Sequence, residues 1–387
     1  MNQGKYVFSQ LVKFLPQRVF HRITANYQGN KSVKHFTCWN QLLCMVFGQL
    51  SARESLRDLI TTIEAHQSKS YHLGFGKSIT RSNLSKANEK RNYKIFEEFA
   101  NHLIGIAQWK NSNDTFDVKG NIYAFDSSTV DLCLSVFCWA HFRKTKAGIK
   151  LHTLFDVNTQ TPVFIHITKA NIHDVNAMDV IDYEPLAYYI FDRAYVDYKR
   201  LYRITKAKAY FVVRAKSNIK FKRMYSNTID KTTGIKYDQI GKIEGFYTSK
   251  EYPEKLRKVK FIDKENGKTL VFLTNNLDLS AHDIALLYKQ RWQVELFFKW
   301  IKQHLKVKTF WGRTENAVRI QINIAIITYC LISIIAKDLK INRSIYEIIQ
   351  ILSVSLLDKT PVNELLMKSD YNNVNKLNNN QLVFNLF

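Results

Sequence analysis

Between Tyr288 and Lys302 the chain reads YKQRWQVELFFKWIK. One acid, Glu295, stands in it among basic and aromatic residues, with Tyr288, Arg291, Glu295 and Lys302 spaced three, four and seven residues apart. At about 100° per residue, four side chains so spaced fall within roughly 60° of one another on a helix. The spacing therefore predicts one continuous helix with a polar stripe. Val294, Phe297, Phe298, Ile301 and Leu305 form an apolar face beside that stripe, so the acid borders a buried surface yet can still reach solvent. Seen alone, the pattern also suits a solvated edge on which Arg291 pairs with Glu295 one turn away. The rest of the chain decides between these readings.

With 387 residues, 46% of them hydrophobic, the chain has material for two or three domains and a large core. Its formal charge of +24 is carried by no single tail. Basic clusters recur at FRKTKAGIK (142–150), RAKSNIKFKR (214–223), EKLRKVK (254–260) and KQHLKVK (302–308), with aromatic residues among them. A solvated surface needs no such excess of one sign, whereas a polyanionic partner explains it through phosphate neutralisation. The interleaved aromatics favour nucleic acid over an anionic membrane. The five cysteines lack metal-ligand spacing and read as small core residues of a reducing cytosol. MNQGKYVF has no signal-peptide core, and INIAIITYCLISIIA (322–336) is shorter than a membrane span and contains Asn323. That run reads as a buried helix, and the expectation is a soluble intracellular protein with no membrane partner.

The hydrophobic period changes along the chain. Residues 1–115 read as a helical domain, with Ser51-Ala-Arg-Glu54 as a capping box opening SARESLRDLITTIEAH. After the break HLGFGKS (72–78), helical period resumes with Arg81, Lys86, Lys90 and Arg91 exposed. Two helices joined by a short turn, the second basic, suggest a helix-turn-helix on a DNA end, although a plain bundle has the same pattern. NSNDTFDVKGN (111–121) is a polar linker. Residues 116–216 then alternate strands with helices, the first part of a mixed α/β core. Residues 217–277 read as a β-rich insertion without a clear helix. Residues 278–335 bring the glutamate helix, opened by the cap Ser280-Ala-His-Asp283, and the end of the core. Residues 336–387 are a C-terminal helical region with an Asn-rich tail whose last apolar residues could dock.

Two strand patterns run into aspartates, YAFD ending at Asp126 and YIFD ending at Asp192. A strand end exposes a side chain while the buried strand fixes its position. With Glu295 from a helix against the same sheet, three carboxylates can converge in a basic protein. Such a set suits hard divalent cations, which activate water or a 3′-hydroxyl and stabilise the leaving oxygen of a phosphodiester. Asp156 also ends a strand pattern, Asp131 follows Asp126 closely, and His173-Asp174 offers a supporting histidine. These read as structural.

Asp126, Asp192 and Glu295, with Tyr288-x2-Arg291-x3-Glu295-x6-Lys302 around the glutamate, resemble the DDE transposases of bacterial insertion sequences. The Y-R-E-K spacing is similar to the subgroup typified by insertion sequence four, and AFDSSTVDL and FDRAY match its aspartate blocks. The resemblance covers roughly residues 120 to 335. It implies an RNase H-like catalytic core interrupted by a β-strand insertion, preceded by a helical domain and followed by helices. It further implies Mg²⁺ (or Mn²⁺ in its place) held by Asp126, Asp192 and Glu295, with Tyr288, Arg291, Lys302, Lys299 and Arg193 on DNA. The implied partners are double-stranded inverted-repeat ends and target DNA, acted on by a homodimer, and the implied location is the bacterial cytoplasm, on the nucleoid. Cleavage in this subgroup proceeds through hairpin ends, for which relatives hold a flipped base on an insertion tryptophan. Residues 217–277 contain no Trp, only aromatics such as Tyr237, Phe246, Tyr247 and Tyr252. Trp292 and Trp300, off the stripe, are expected to pack on the insertion or the C-terminal helices, or to stack on DNA. Two other classes compete: a catalytically silent DNA-binding descendant of such an enzyme, against which the intact triad argues, and a glycosidase, against which the charge argues.

Overall fold

A computed structural model describes residues 4–76, 79–111, 120–133, 135–143, 146–264, 267–304 and 310–367, and the statements below concern those residues. Leu305, most of the polar linker and the Asn-rich tail lie outside them. The first third is helical: α1 (Val7–Val12), α2 (Gln17–Asn26), α3 (Cys38–Leu50), α4 (Leu56–Ala65), α5 (Arg81–Lys90) and α6 (Lys94–Asn111). Ser55, not Ser51, caps α4, its hydroxyl accepting from the Asp58 N–H at 3.1 Å. Ser51 instead ends α3, its hydroxyl donating back to the Phe47 carbonyl at 2.7 Å. The helix-turn-helix expectation fails on geometry, because residues 66–80 separate α4 from α5 and the motif needs a turn of about three or four residues.

Strands β1 (Ile122–Leu132), β2 (His141–Arg143), β3 (Lys146–Asp156), β4 (Thr161–Lys169) and β5 (Tyr188–Phe191) follow, then α7 (Tyr198–Lys206) and β6 (Tyr210–Arg214). β3 lies antiparallel to β1 and β4, while β5 runs parallel to both β1 and β6. Residues 217–277 supply β7 (Phe221–Ser226), β8 (Ile235–Ile243), the short α8 (Thr248–Glu251), β9 (Leu256–Ile262) and β10 (Thr269–Thr274). These four strands form an antiparallel meander, and β10 docks beside β6. The result is a ten-stranded sheet in the order β2-β3-β1-β5-β6-β10-β9-β8-β7, with β4 also on β3. The expected insertion is thus an extension of the main sheet, and it does contain two helical turns, α8 and a 3₁₀ turn at Lys231–Thr233. Inside it, Arg257 pairs with Asp238 at 2.7 Å, both almost fully buried. Arg257 also donates to the carbonyls of Leu277 and Leu279, tying the meander to the segment that follows.

That segment holds α9 (Ala281–Lys289), α10 (Trp292–His304), α11 (Glu315–Asp338), α12 (Ile345–Ser355) and α13 (Val362–Leu366). Ser280 caps α9 as expected, accepting from the Asp283 N–H. The continuous helix expected across 288–302 is broken at Gln290–Arg291. Arg291 N–H bonds the Tyr288 carbonyl at 3.1 Å and Val294 N–H the Arg291 carbonyl at 3.3 Å, so three-residue closures replace the α pattern there. Neither glycine nor proline marks the break.

Strand alternation sorts the core into two layers. Even-numbered Ile122, Ala124, Tyr188, Ile190 and Val212 join the cluster that includes α9, α10 and α11. Odd-numbered Tyr123, Phe125, Tyr189, Phe191, Phe211 and Val213 pack on the other face with α7. α11 contains the 322–336 run and is almost entirely covered by protein, packing on α3, α5, α6 and α12. Gly48 on α3 makes room for this join, since a Cβ there would meet the Trp311 ring at 2.6 Å. The helical first third and the sheet region therefore share one hydrophobic cluster. Of the cysteines, Cys38, Cys44 and Cys330 are buried as expected, but Cys133 and Cys138 are exposed.

Candidate active site at the ends of the parallel strands

The register brings the two aspartates level. The last parallel pairs are Phe125 with Phe191 and Phe191 with Val213, so Asp126, Asp192 and Arg214 come next on three adjacent strands. All three are even-numbered and continue the face against which α10 packs. Asp126 does not end its strand, as the sequence pattern suggested, because β1 continues antiparallel to β3 as far as Leu132. It lies instead where its parallel neighbour stops. Asp192 directly follows β5 and begins a short 3₁₀ turn, Arg193–Tyr195.

From the break between α9 and α10, Arg291 reaches across this row. Its Nη1 donates to Asp126 Oδ2 at 2.9 Å and its Nη2 to Glu295 Oε1. Glu295 stands in the first turn of α10, where the helix N-terminus favours an anion. One guanidinium thus joins a strand acid to a helix acid. Tyr288, nearly buried at the end of α9, packs on Phe272 with ring centroids 4.7 Å apart. Arg291 lies 5.9 Å from the Tyr288 ring centroid.

The electrostatics follow from this crowding. Burial pushes the Asp126 carboxyl up to about 6. The Ser127 N–H and Arg291 pull it down, while Glu295 and Asp192 push it further up. Asp126 therefore feels the charge of both other acids. Burial opposes the Arg291 charge, but Tyr288, Asp126 and Glu295 overcome it and the net shift is upward. Arg291 Nε is buried without a hydrogen-bond partner, so the two ion pairs leave this side chain incompletely satisfied.

An oxygen-only donor set of this kind, with one member costly to ionise alone, fits a hard divalent cation. Among the described residues, however, no three of His, Cys, Asp and Glu are already gathered closely enough to hold one. Arg291 supplies the compensating positive charge in this geometry.

The remaining sequence-predicted residues fall around this centre. Arg193 is exposed beside Asp192, Lys299 is exposed on α10, and Lys302 is partly buried near its end. Trp300 packs edge-on against Tyr329 of α11 at 4.6 Å, while Trp292 is more than half exposed. Of the insertion aromatics, Tyr252 is buried and Tyr237 partly so, with Lys258 and Lys260 near its ring. Phe246 and Tyr247 are largely exposed, and Lys250 lies 4.0 Å over the Phe246 ring. Asp156 is structural: its Oδ1 accepts from the N–H groups of Asn158 and Thr159 in the β3–β4 turn. Asp131 is exposed further along β1.

Three features escaped sequence reasoning. Arg214 was marked only as the first residue of the basic cluster 214–223, at the end of an apolar strand. At the pair 173–174 it is Asp174, not His173, that approaches β1, accepting from the Ser127 hydroxyl at 2.7 Å and pairing with Lys150 at 3.1 Å. The third is Arg291 bridging two acids, for which the four-residue spacing signalled only the Glu295 half.

Comparison with known proteins places the chain in a family. The family profile described as "Transposase DDE domain" matches residues 118–331, and one described as a domain of unknown function matches residues 3–76. A protein of Sinorhizobium fredii named as a transposase is 34% identical over 266 residues, 68% of this chain and 73% of its own length. A transposase for an insertion sequence element of Geobacillus stearothermophilus is 32% identical over 54% of each chain. Another, from Synechocystis, is 24% identical over 73% of this chain and 80% of its own. A piggyBac transposase synaptic complex with hairpin DNA aligns over 95% of this chain and 82% of that one, at 13% identity and a TM-score of 0.42. With more than half its length in the matched region, and with the two aspartates and the glutamate inside it, this chain belongs to the DDE transposase family.

Proposed function

We propose that the chain binds the inverted-repeat ends of a bacterial insertion sequence, cleaves them with a divalent metal held by Asp126, Asp192 and Glu295, and joins them to target DNA. The observation that carries this reading is the meeting of those acids on one face: Asp126 and Asp192 level on parallel strands, and Glu295 linked to Asp126 through Arg291. An RNase H-like core fits the order β4-β3-β1-β5-β6, in which three antiparallel strands are followed by two parallel to the first.

The metal is Mg²⁺, with Mn²⁺ able to take its place; when bound, it would polarise the scissile phosphate and activate the attacking oxygen. Everything else is positioning by this chain. β1 and β5 fix the aspartates rigidly, because β5 and the stretch of β1 leading into Asp126 are buried on both faces. Tyr288 braces Arg291 from below. Arg291, Lys302, Lys299 and Arg193 bind phosphates near the cut end, and the excess of +24 supplies salt-sensitive affinity for both end and target. Phe246 and Tyr247, exposed on the insertion, offer stacking faces for a base displaced from the duplex, and with it a hairpin route. Two ends must be processed together, so the working unit is a homodimer on DNA.

The test is nicking of a duplex carrying the repeats that flank the gene. Wild type should cut with Mg²⁺ and not with EDTA, and Asp192→Asn or Glu295→Gln should bind the duplex yet leave it intact. Full cleavage by Asp192→Asn would overturn the metal assignment. A chain that binds the repeats but never cuts them under any metal would be the silent DNA-binding descendant instead.

A further inference from the structure

Arg291 sits where a cation belongs. It is the positive charge shared by Asp126 and Glu295, it is mostly buried, and its Nε has no partner. A divalent ion and this guanidinium cannot both occupy the space between the same two carboxylates. Arg291 also stands on the break between α9 and α10, held by three-residue closures and not within a helix. There its backbone is less constrained than mid-helix, and its long side chain has rotamers that lead away from the acids.

We infer that Arg291 selects the DNA-bound state for metal loading: without DNA it fills the cation position between Asp126 and Glu295, and a DNA phosphate draws it out. The inference rests on the proposed metal role of the acids and adds a second function for Arg291 beyond phosphate contact. A phosphate oxygen pair accepts the guanidinium fork in the same bidentate geometry as carboxylates do. Moving Arg291 onto it leaves Asp126 and Glu295 as adjacent anions, which raises their affinity for a divalent ion. By reciprocity the metal must favour DNA by the same factor. A chain free in the cell would then hold Asp126 and Glu295 partly compensated by one shared positive charge, and metal would enter readily only where a phosphate is already seated.

The experiment reads metal binding and not cleavage. Mn²⁺ is titrated into the full chain and free ion is followed by electron paramagnetic resonance, without DNA and with a duplex taken from the border of the gene. Wild type should bind Mn²⁺ at least tenfold more tightly with the duplex than without it. Arg291→Gln should reach the tight affinity without DNA and gain little from the duplex. Arg291→Lys, which keeps the charge but loses the fork, should fall between, and it decides the matter if the glutamine variant does not fold. Equal Mn²⁺ affinity for wild type and both variants without DNA would overturn the inference. Failure of the acid assignment has a different signature: Mn²⁺ binding unchanged by Asp192→Asn in every state.

Discussion

Replacing Asp126 by Asn should stabilise the protein while destroying its proposed activity. The Asp126 carboxyl ionises at about 6 in the folded chain against an ordinary 3.8, with burial as the largest cause. An acid raised in this way favours folding only while protonated. The folded state keeps its proton between the two values, whereas the unfolded chain gives it up, so stability falls as pH rises through that window. Above about pH 6 the full penalty is present, and a shift of about two units corresponds to about 3 kcal/mol. The attraction of Arg291 is already contained in that value, so it does not rescue the ionised acid. Asparagine is close in shape to the protonated acid and cannot ionise. In EDTA and without DNA, Asp126→Asn should therefore unfold at higher urea than wild type at pH 7.5, with the gap closing as pH is lowered toward 4. A variant less stable than wild type at pH 7.5, or a gap independent of pH, would refute the reasoning. The same raised value means that a proton competes with metal, so Mn²⁺ affinity should fall below about pH 6.

Other expectations follow from the same geometry. Arg257→Ala strands the buried Asp238 and cuts the tie to Leu277 and Leu279, so it should cost about 3–5 kcal/mol, read as lost hydrogen-exchange protection across β8–β10. Arg81→Ala and Lys86→Ala on the exposed face of α5 should each lower the salt dependence of DNA binding by about one unit of slope if they meet phosphates; unchanged slopes would remove α5 from the interface. Phe246→Ala with Tyr247→Ala should leave the urea midpoint within experimental error, because both rings are largely exposed. If they hold a displaced base, that pair should lose hairpin formation, and an unpaired terminal base in the substrate should restore it.

Local pattern carried the sequence reading furthest where chemistry and period coincided. Asp126 and Asp192 were legible because apolar strands run into them, and the sheet then set them level through the Phe125–Phe191 register. Glu295 and Arg291 were legible from spacing, but a regular period assumes an unbroken helix. It could not report the turn at Gln290–Arg291, which arises from packing and not from a helix-breaking residue. The same limit explains the misplaced cap. Ser51 and Ser55 both precede an apolar run, and only the end of α3 decides between them. Side-chain pairs distant in sequence, such as Asp174 with Ser127 or Arg291 with Asp126, left no trace in local pattern. Nor can composition show that α6 of the helical first third packs against α11, far along the chain.

That packing has a consequence for synthesis. α6 ends at Asn111 and its partner α11 ends at Asp338, so at ribosomal rates of about 5–20 residues per second the first helices wait on the order of 10–45 s for the surface that covers them. During that interval the apolar sides of α3 and α6 face the cytosol or a chaperone. Any product ending before residue 315 never covers them, and should be cleared by proteolysis and not persist as a competing DNA-binding fragment. The late helix thus makes possession of the chain as far as about residue 338 a condition for stable folding.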